Sequence, residues 1–149
     1  MDRFTDLLTQ LGELLDTDLR PDVHGVCKLN INEQFNIQLE YDGSKERLLL
    51  AAFLCDIPPG KFRENLLKDA LKANWPYPKE GTLCYSDRNN KLSLFKYIST
   101  INLTGAVLLN GLNQFIDQAE SWRKAVESGQ TSHLVPSSKK SSGNIFGMK

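Results

Sequence analysis

Gly25-Val26-Cys27-Lys28-Leu29-Asn30-Ile31-Asn32-Glu33-Gln34-Phe35-Asn36-Ile37-Gln38-Leu39-Glu40-Tyr41-Asp42-Gly43 is the stretch that decides the fold class. Cys27, Leu29 and Ile31 alternate with Val26, Lys28 and Asn30, and Phe35, Ile37, Leu39 and Tyr41 alternate with Asn36, Gln38 and Glu40. Successive side chains of a strand point to opposite faces, so a period of two marks a strand with one apolar and one wet face. Two such strands in a row predict antiparallel sheet. Asn32-Glu33-Gln34 suits the hairpin between them. Asp42-Gly43 signals a turn into a third strand, because glycine accepts the positive φ of hairpin turns.

The third strand, Arg47 to Asp56, is apolar on both faces, which predicts that it is the most buried of the three; Pro58-Pro59-Gly60 closes it. Working outward, the period changes. In residues 3–16, Phe4, Leu7, Leu8, Leu11, Leu14 and Leu15 recur at steps of three and four, a helical stripe. A second helix is expected from about Lys61 to Trp75, with Phe62, Leu66, Ala70, Leu71 and Trp75 on one side and Pro76 as its stop. Residues 82–87 and 91–99 read as another hairpin. A long last helix follows from near Thr104, a plausible N-cap, to Ser128; Leu108, Leu112, Phe115, Ile116, Ala119, Trp122 and Val126 are its stripe. The order is α-β-β-β-α-β-β-α. It predicts an α+β domain over residues 1–128, a mixed, mostly antiparallel sheet with helices packed on it. Residues 129–149, rich in Ser, Gly and Lys, read as a mobile tail.

The bulk properties exclude several classes. The 149 residues suffice for one core, and 40% hydrophobic with 24% charged residues is ordinary globular composition. The longest apolar run, Leu48 to Cys55, is too short to cross a bilayer, so no membrane insertion is expected. The start, Met1-Asp2-Arg3-Phe4, has no signal-peptide pattern, which predicts a cytosolic protein. The zero net charge divides unevenly: the tail holds Lys139, Lys140 and Lys149 and no acid, leaving 15 basic against 18 acidic groups, net −3, in residues 1–128. That balance argues against nucleic acid, whose binding needs a basic face.

Chemistry is not visible either. Cys27, Cys55 and Cys84 are odd in number and about thirty positions apart, so they form neither a disulfide framework nor a zinc cluster, and each is expected to pack as a small hydrophobe. His24 and His133 fall in a loop and in the tail, which leaves no metal pair and no base for a nucleophile. Asp16, Asp18 and Asp22 lack the glycine and final glutamate of a calcium loop. No metal, cofactor or catalytic residue is expected.

The leucine-striped opening Phe4-x-x-Leu7-Leu8-x-x-Leu11, the Phe35-Asn36-Ile37-Gln38-Leu39 strand, the third strand ahead of Pro58-Pro59 and the last helix around Trp122 together resemble the class I type III secretion chaperones, the CesT/SycE family. The resemblance covers residues 2 to about 128. It implies a dimeric protein of the bacterial cytoplasm without enzymatic turnover. Its partners would be the N-terminal region of secreted effectors, kept unfolded for delivery to the secretion ATPase or export apparatus. A second copy or a sister chaperone would complete the dimer. It also implies that cargo lies along the first helix and the first sheet, and that the second helix and fourth strand build the dimer.

The stripe of the first helix is wider than packing on a small sheet requires, so part of it is expected to line a groove. Phe4, Leu7, Leu8, Leu11 and Leu14, with Val26, Phe35 and Ile37 on the strands, are the candidate cargo-binding residues. Phe4, Leu7 and Leu14 would form the groove wall. Leu66, Ala70, Leu71 and Trp75 are the candidate dimer residues. Core packing accounts for any single striped leucine equally well. Another protein-binding α+β module, antitoxin-like or regulatory, or a small enzyme without a motif, are the alternatives.

Overall fold

The computed structural model describes residues 2–78 and 80–135. The elements run α1 (Arg3–Leu15), β1 (Val26–Ile31), β2 (Phe35–Asp42), β3 (Arg47–Asp56), α2 (Lys61–Ala73), β4 (Thr82–Ser86), β5 (Lys91–Ser99) and α3 (Gly105–Ser128), then a 3-10 turn, Ser132–Leu134. The expected order of elements is therefore present.

Capping sets the helix limits. The Asp2 carboxylate accepts the Thr5 N–H at 2.7 Å, and Asp16 ends α1 in the left-handed region at φ 56°. The Thr104 hydroxyl accepts the Val107 N–H at 3.2 Å, and Gly129 ends α3 at φ 80°. In the first hairpin Asn32 and Glu33 take φ 52° and 59°, and the Asn30 side-chain oxygen accepts the Glu33 N–H at 2.8 Å. The second turn differs from expectation. Asp42 pairs with Arg47, so the loop is 43–46, and its left-handed residue is Glu46 (φ 49°), not Gly43.

The five strands lie in the order β1-β2-β3-β5-β4, and all four pairings are antiparallel. No parallel pair joins the described strands, which corrects the expected mixed sheet. The crossover through α2 does set β4 parallel to β3, but β5 folds back between them. β3 is thus the central strand.

One core draws on all three helices and one face of the sheet, including Cys27, Leu29, Ile37, Leu39, Leu50, Leu94, Leu66 and Trp122. α1 and α3 approach closely where Gly105 meets Gln10. A Cβ on Gly105 would lie 2.6 Å from the Gln10 Cβ, and the Gln10 side-chain oxygen accepts the Gly105 N–H at 2.7 Å. The Arg3 guanidinium donates to the Thr100 and Leu103 carbonyls at 2.7 and 2.8 Å, fixing the other end of α1. Asn74, just past α2, bonds both the carbonyl and the N–H of Leu83, tying α2 to β4.

The domain also reaches further than expected. Thr131 is buried and donates its hydroxyl to Asp69 of α2 at 2.7 Å, while Leu134 packs against the core. Residues 129–135 are therefore docked on α2. The rest of the expected tail, 136–149, lies outside the described residues.

Candidate functional site

The structure separates the candidate residues by solvent access. Phe4, Leu7, Leu8 and Leu11 are 6%, 0%, 0% and 0% exposed, so Phe4 and Leu7 belong to the core and not to a groove wall. The reason lies in the number of neighbours. Phe4 stacks on Tyr41 of the sheet with ring centroids 6.2 Å apart, while Gln10 lies against α3. A helix wedged between a sheet and another helix needs a wide stripe to serve both. Leu14, at 52%, and Leu15 run past that contact into solvent. Leu8 and Gly12 do border a shallow groove of about 360 Å³ beside the loop from Asp16 to Leu19.

Among the strand candidates, Phe35 and Ile37 point into the core, and Val26 is half-buried on the opposite face. Of the dimer candidates, Leu66 and Ala70 are buried within the protomer, whereas Leu71 and Trp75 are exposed. Leu71 is five positions past Leu66, a turn of roughly 140° around the helix axis, so it leaves the stripe that Leu66 and Ala70 share. Leu71 on α2, and Trp75 and Tyr77 just past its end, are each 70% exposed or more.

The larger apolar surface was not among the candidates. On the sheet face away from the helices, cross-strand pairing sets Leu49 beside Tyr97, Ala51 beside Phe95, and Phe53 beside Ser93. Phe53 and Tyr97 are each 44% exposed, and Phe95 meets Tyr97 edge-on with centroids 6.1 Å apart. One side of this strip is polar, where Gln38 and Glu40 of β2 pair with Ala51 and Leu49. On the other side Thr82 and Cys84 of β4 pair with Phe95 and Ser93. The end of the strip is fixed by Arg47, whose guanidinium lies 3.6 Å above the Tyr97 ring. Arg47 also pairs with Asp42 at 3.4 Å. The Ser44 hydroxyl, ahead of Arg47, holds the Asp42 carboxyl below its ordinary range. The sequence did carry a signal for the strip: β3 is apolar at both parities. The second apolar set, Leu49, Ala51 and Phe53, is left uncovered.

The cysteines occupy three different environments. Cys27 is buried, Cys55 half-buried and Cys84 exposed, which corrects the expectation that all three are core thiols. Burial pushes the Cys55 thiol up to about 11 and raises Cys27 as well. Among the described residues no group of three or more His, Cys, Asp or Glu is placed to hold a metal, and no helix is long and apolar enough to cross a membrane. What the site offers is a strip of alternating apolar positions on an open sheet, flanked by polar rows, with a free sheet edge at β1.

Comparison with known proteins gives a consistent picture. No curated protein matches the sequence. Among solved structures, the HopA1–SchA chaperone–effector complex contains a chain similar in fold, with TM-score 0.68 and 23% identity, covering 83% of this chain and 94% of that one. The Yersinia pestis type III secretion chaperone SycH, in complex with a stable fragment of YscM2, aligns with TM-score 0.64 at 16% identity over 80% of this chain and 98% of that one. The ExoT–SpcS complex from Pseudomonas aeruginosa gives 0.60 at 17% identity over 80% and 96%. Residues 6–123 match the model of a single protein family, from within α1 to the last turns of α3. The chain belongs to that family, the Tir chaperone protein (CesT) family.

Proposed function

We propose that this chain is a type III secretion chaperone that binds the N-terminal segment of one or more effectors in extended form and keeps it competent for export. One observation carries the assignment of the surface: a CesT-family fold leaves the Leu49-Ala51-Phe53 and Phe95-Tyr97 strip uncovered on the sheet face opposite its helices. Cargo that must pass a conduit unfolded offers main chain and scattered apolar side chains, not a folded epitope. An open strip bordered by polar rows accepts scattered apolar side chains of such a segment laid across the face, and a separate stretch of the segment can pair its backbone along the β1 edge, two strands away from β3. Ordering a disordered segment costs conformational entropy, so a broad surface is needed for useful affinity.

A second copy packs against the exposed Leu71 of α2 and the Trp75 and Tyr77 that follow it, giving a two-fold dimer that doubles the cargo surface. Binding and release complete the activity in the cytoplasm, with no catalytic step; handover to the export apparatus follows. The test is a photo-crosslinking residue placed at Phe53 in the full chain. Crosslinks to the N-terminal region of secreted proteins, identified by mass spectrometry, are expected. Crosslinks only to a second copy of the chain would assign the strip to the dimer instead.

A further inference from the structure

We propose that Glu40 is a specificity-determining residue of the outward strip, which takes extended segments carrying a lysine or arginine four positions from an apolar residue. The proposal rests on the reading of the strip as the cargo site, and names the chemistry of what fits it. The first observation is position. Glu40 is paired across the strands with Leu49, and such partners share one sheet face with Cβ atoms about 5 Å apart. Its neighbours on β2 point the other way: Leu39 is fully buried, and Tyr41 stacks on Phe4 of α1. The Glu40 side chain is therefore exposed on the outer face, directly beside the strip's Leu49.

The second observation is that the charges around the strip are already matched, except this one. Arg47, the next outward residue on β3, stacks on the Tyr97 ring at 3.6 Å and pairs with Asp42 at 3.4 Å. At the other end of β3, Asp56 pairs with Lys91 at 2.8 Å. Lys96 lies opposite the buried Leu50, on the helix side of the sheet, and pairs with Glu80 at 2.7 Å. Across the strip, Ser93, Thr82 and Cys84 carry no charge. Lys28 stands on β1 opposite Gln38, one strand further out. Among the described residues Glu40 forms an ion pair with no cation, Lys28 and Arg47 included.

A carboxylate beside an apolar row selects a side chain that is apolar along its stem and positive at its end. Lysine and arginine are built this way, so the methylenes lie on Leu49 while the charge meets Glu40. An acidic side chain at the same place would face Glu40 with Asp42 next to it on the same strand face, and like charges repel. Spacing follows from the strand. Leu49 and Phe53 are four residues apart on β3, roughly 13 Å, and an extended segment covers that distance in four residues of its own. A segment that sets an apolar side chain on Phe53 thus brings the residue four positions away to Glu40. The far end of the strip offers no unmatched charge, so the basic residue fixes where along the strip the segment sits.

The test is a titration of the full chain, followed by backbone amide NMR, with two synthetic peptides. Both are serine- and glycine-based, with phenylalanine at position three, leucine at position five and either lysine or glutamate at position seven. At low salt both should shift the amides of Leu49, Ala51 and Phe53. The lysine peptide is expected to bind about three- to tenfold more tightly, the range of one exposed ion pair set against one repulsion. Glu40→Gln should bring the two affinities together, and Glu40→Lys should reverse their order; the side chain is exposed, so both variants keep the fold. Glu13→Gln, which removes an exposed acid of α1, should leave the preference as it was. Equal affinities in the native chain, or a preference that survives Glu40→Gln, would overturn the proposal. Strip shifts without a preference that depends on Glu40 leave the cargo reading standing, whereas titrations in which neither peptide moves the strip amides would remove both.

Discussion

Leu7 and Leu14 stand two turns apart on one stripe of α1, yet one is fully buried and the other half-exposed. The sequence shows the stripe's period but not how many neighbours cover it, which is why Leu7 was readable as apolar and not as core. Leu7→Ala is expected to cost about 2–5 kcal/mol, and Leu7→Asp to unfold the domain. Leu14→Asp leaves the circular dichroism melt within a degree or two. A folded Leu7→Asp protein would return α1 to the list of open surfaces. The cysteines give a second residue-scale expectation. Cys55 stays protonated well above neutral pH because burial raises its thiol to about 11, and Cys27 is covered. Iodoacetamide at about pH 8 should label the exposed Cys84 in the folded protein, and Cys27 and Cys55 only after denaturation, as read by peptide mass spectrometry.

At the scale of elements, the three α-helices and five strands were legible from period and punctuation, but the short 3-10 turn at Ser132–Leu134 and the order of strands were not. β5 enters the sheet between β3 and β4, a choice made by pairings such as Leu49 with Tyr97 that no local pattern encodes. The contact of α1 with α3 was equally hidden, since Gly105 reads only as a residue after a cap. Gly105→Ala is expected to push the helices apart against Gln10 and lower stability by about 1–3 kcal/mol in urea unfolding. The entry to β1 depends on Asp22. Its carboxylate accepts the Val26 and His24 N–H groups at 3.0 and 2.8 Å, with the Val26 bond the larger cause of a pKa below the ordinary 3.8. A folded pKa below the unfolded one gives stability that is full above about pH 3.8 and fades as pH falls below it. The stability gap between the native protein and Asp22→Asn should therefore be present at pH 6 and shrink towards pH 3. A gap that grew on acidification would reverse the sign of this assignment.

For the whole molecule, the question is which open surface meets a second copy and which meets cargo. α2 presents Leu71 away from its own core at 70% exposure, so Leu71→Glu changes nothing inside the protomer. In a dimer built there, the same carboxylate is buried without a partner, at a cost of several kcal/mol, roughly, for each copy. Light scattering should then report a folded monomer. Phe53→Asp places a charge at the start of the outward strip, on a side chain that is 44% exposed and contributes little to the core. It should leave the dimer intact and abolish crosslinking from Tyr97 to effector N-terminal regions. The two variants thus separate the two surfaces: one loses mass, the other loses cargo. If Leu71→Glu stayed dimeric while Phe53→Asp became monomeric, the roles of the surfaces would be exchanged, and the strip on β3 and β5 would be where the copies meet.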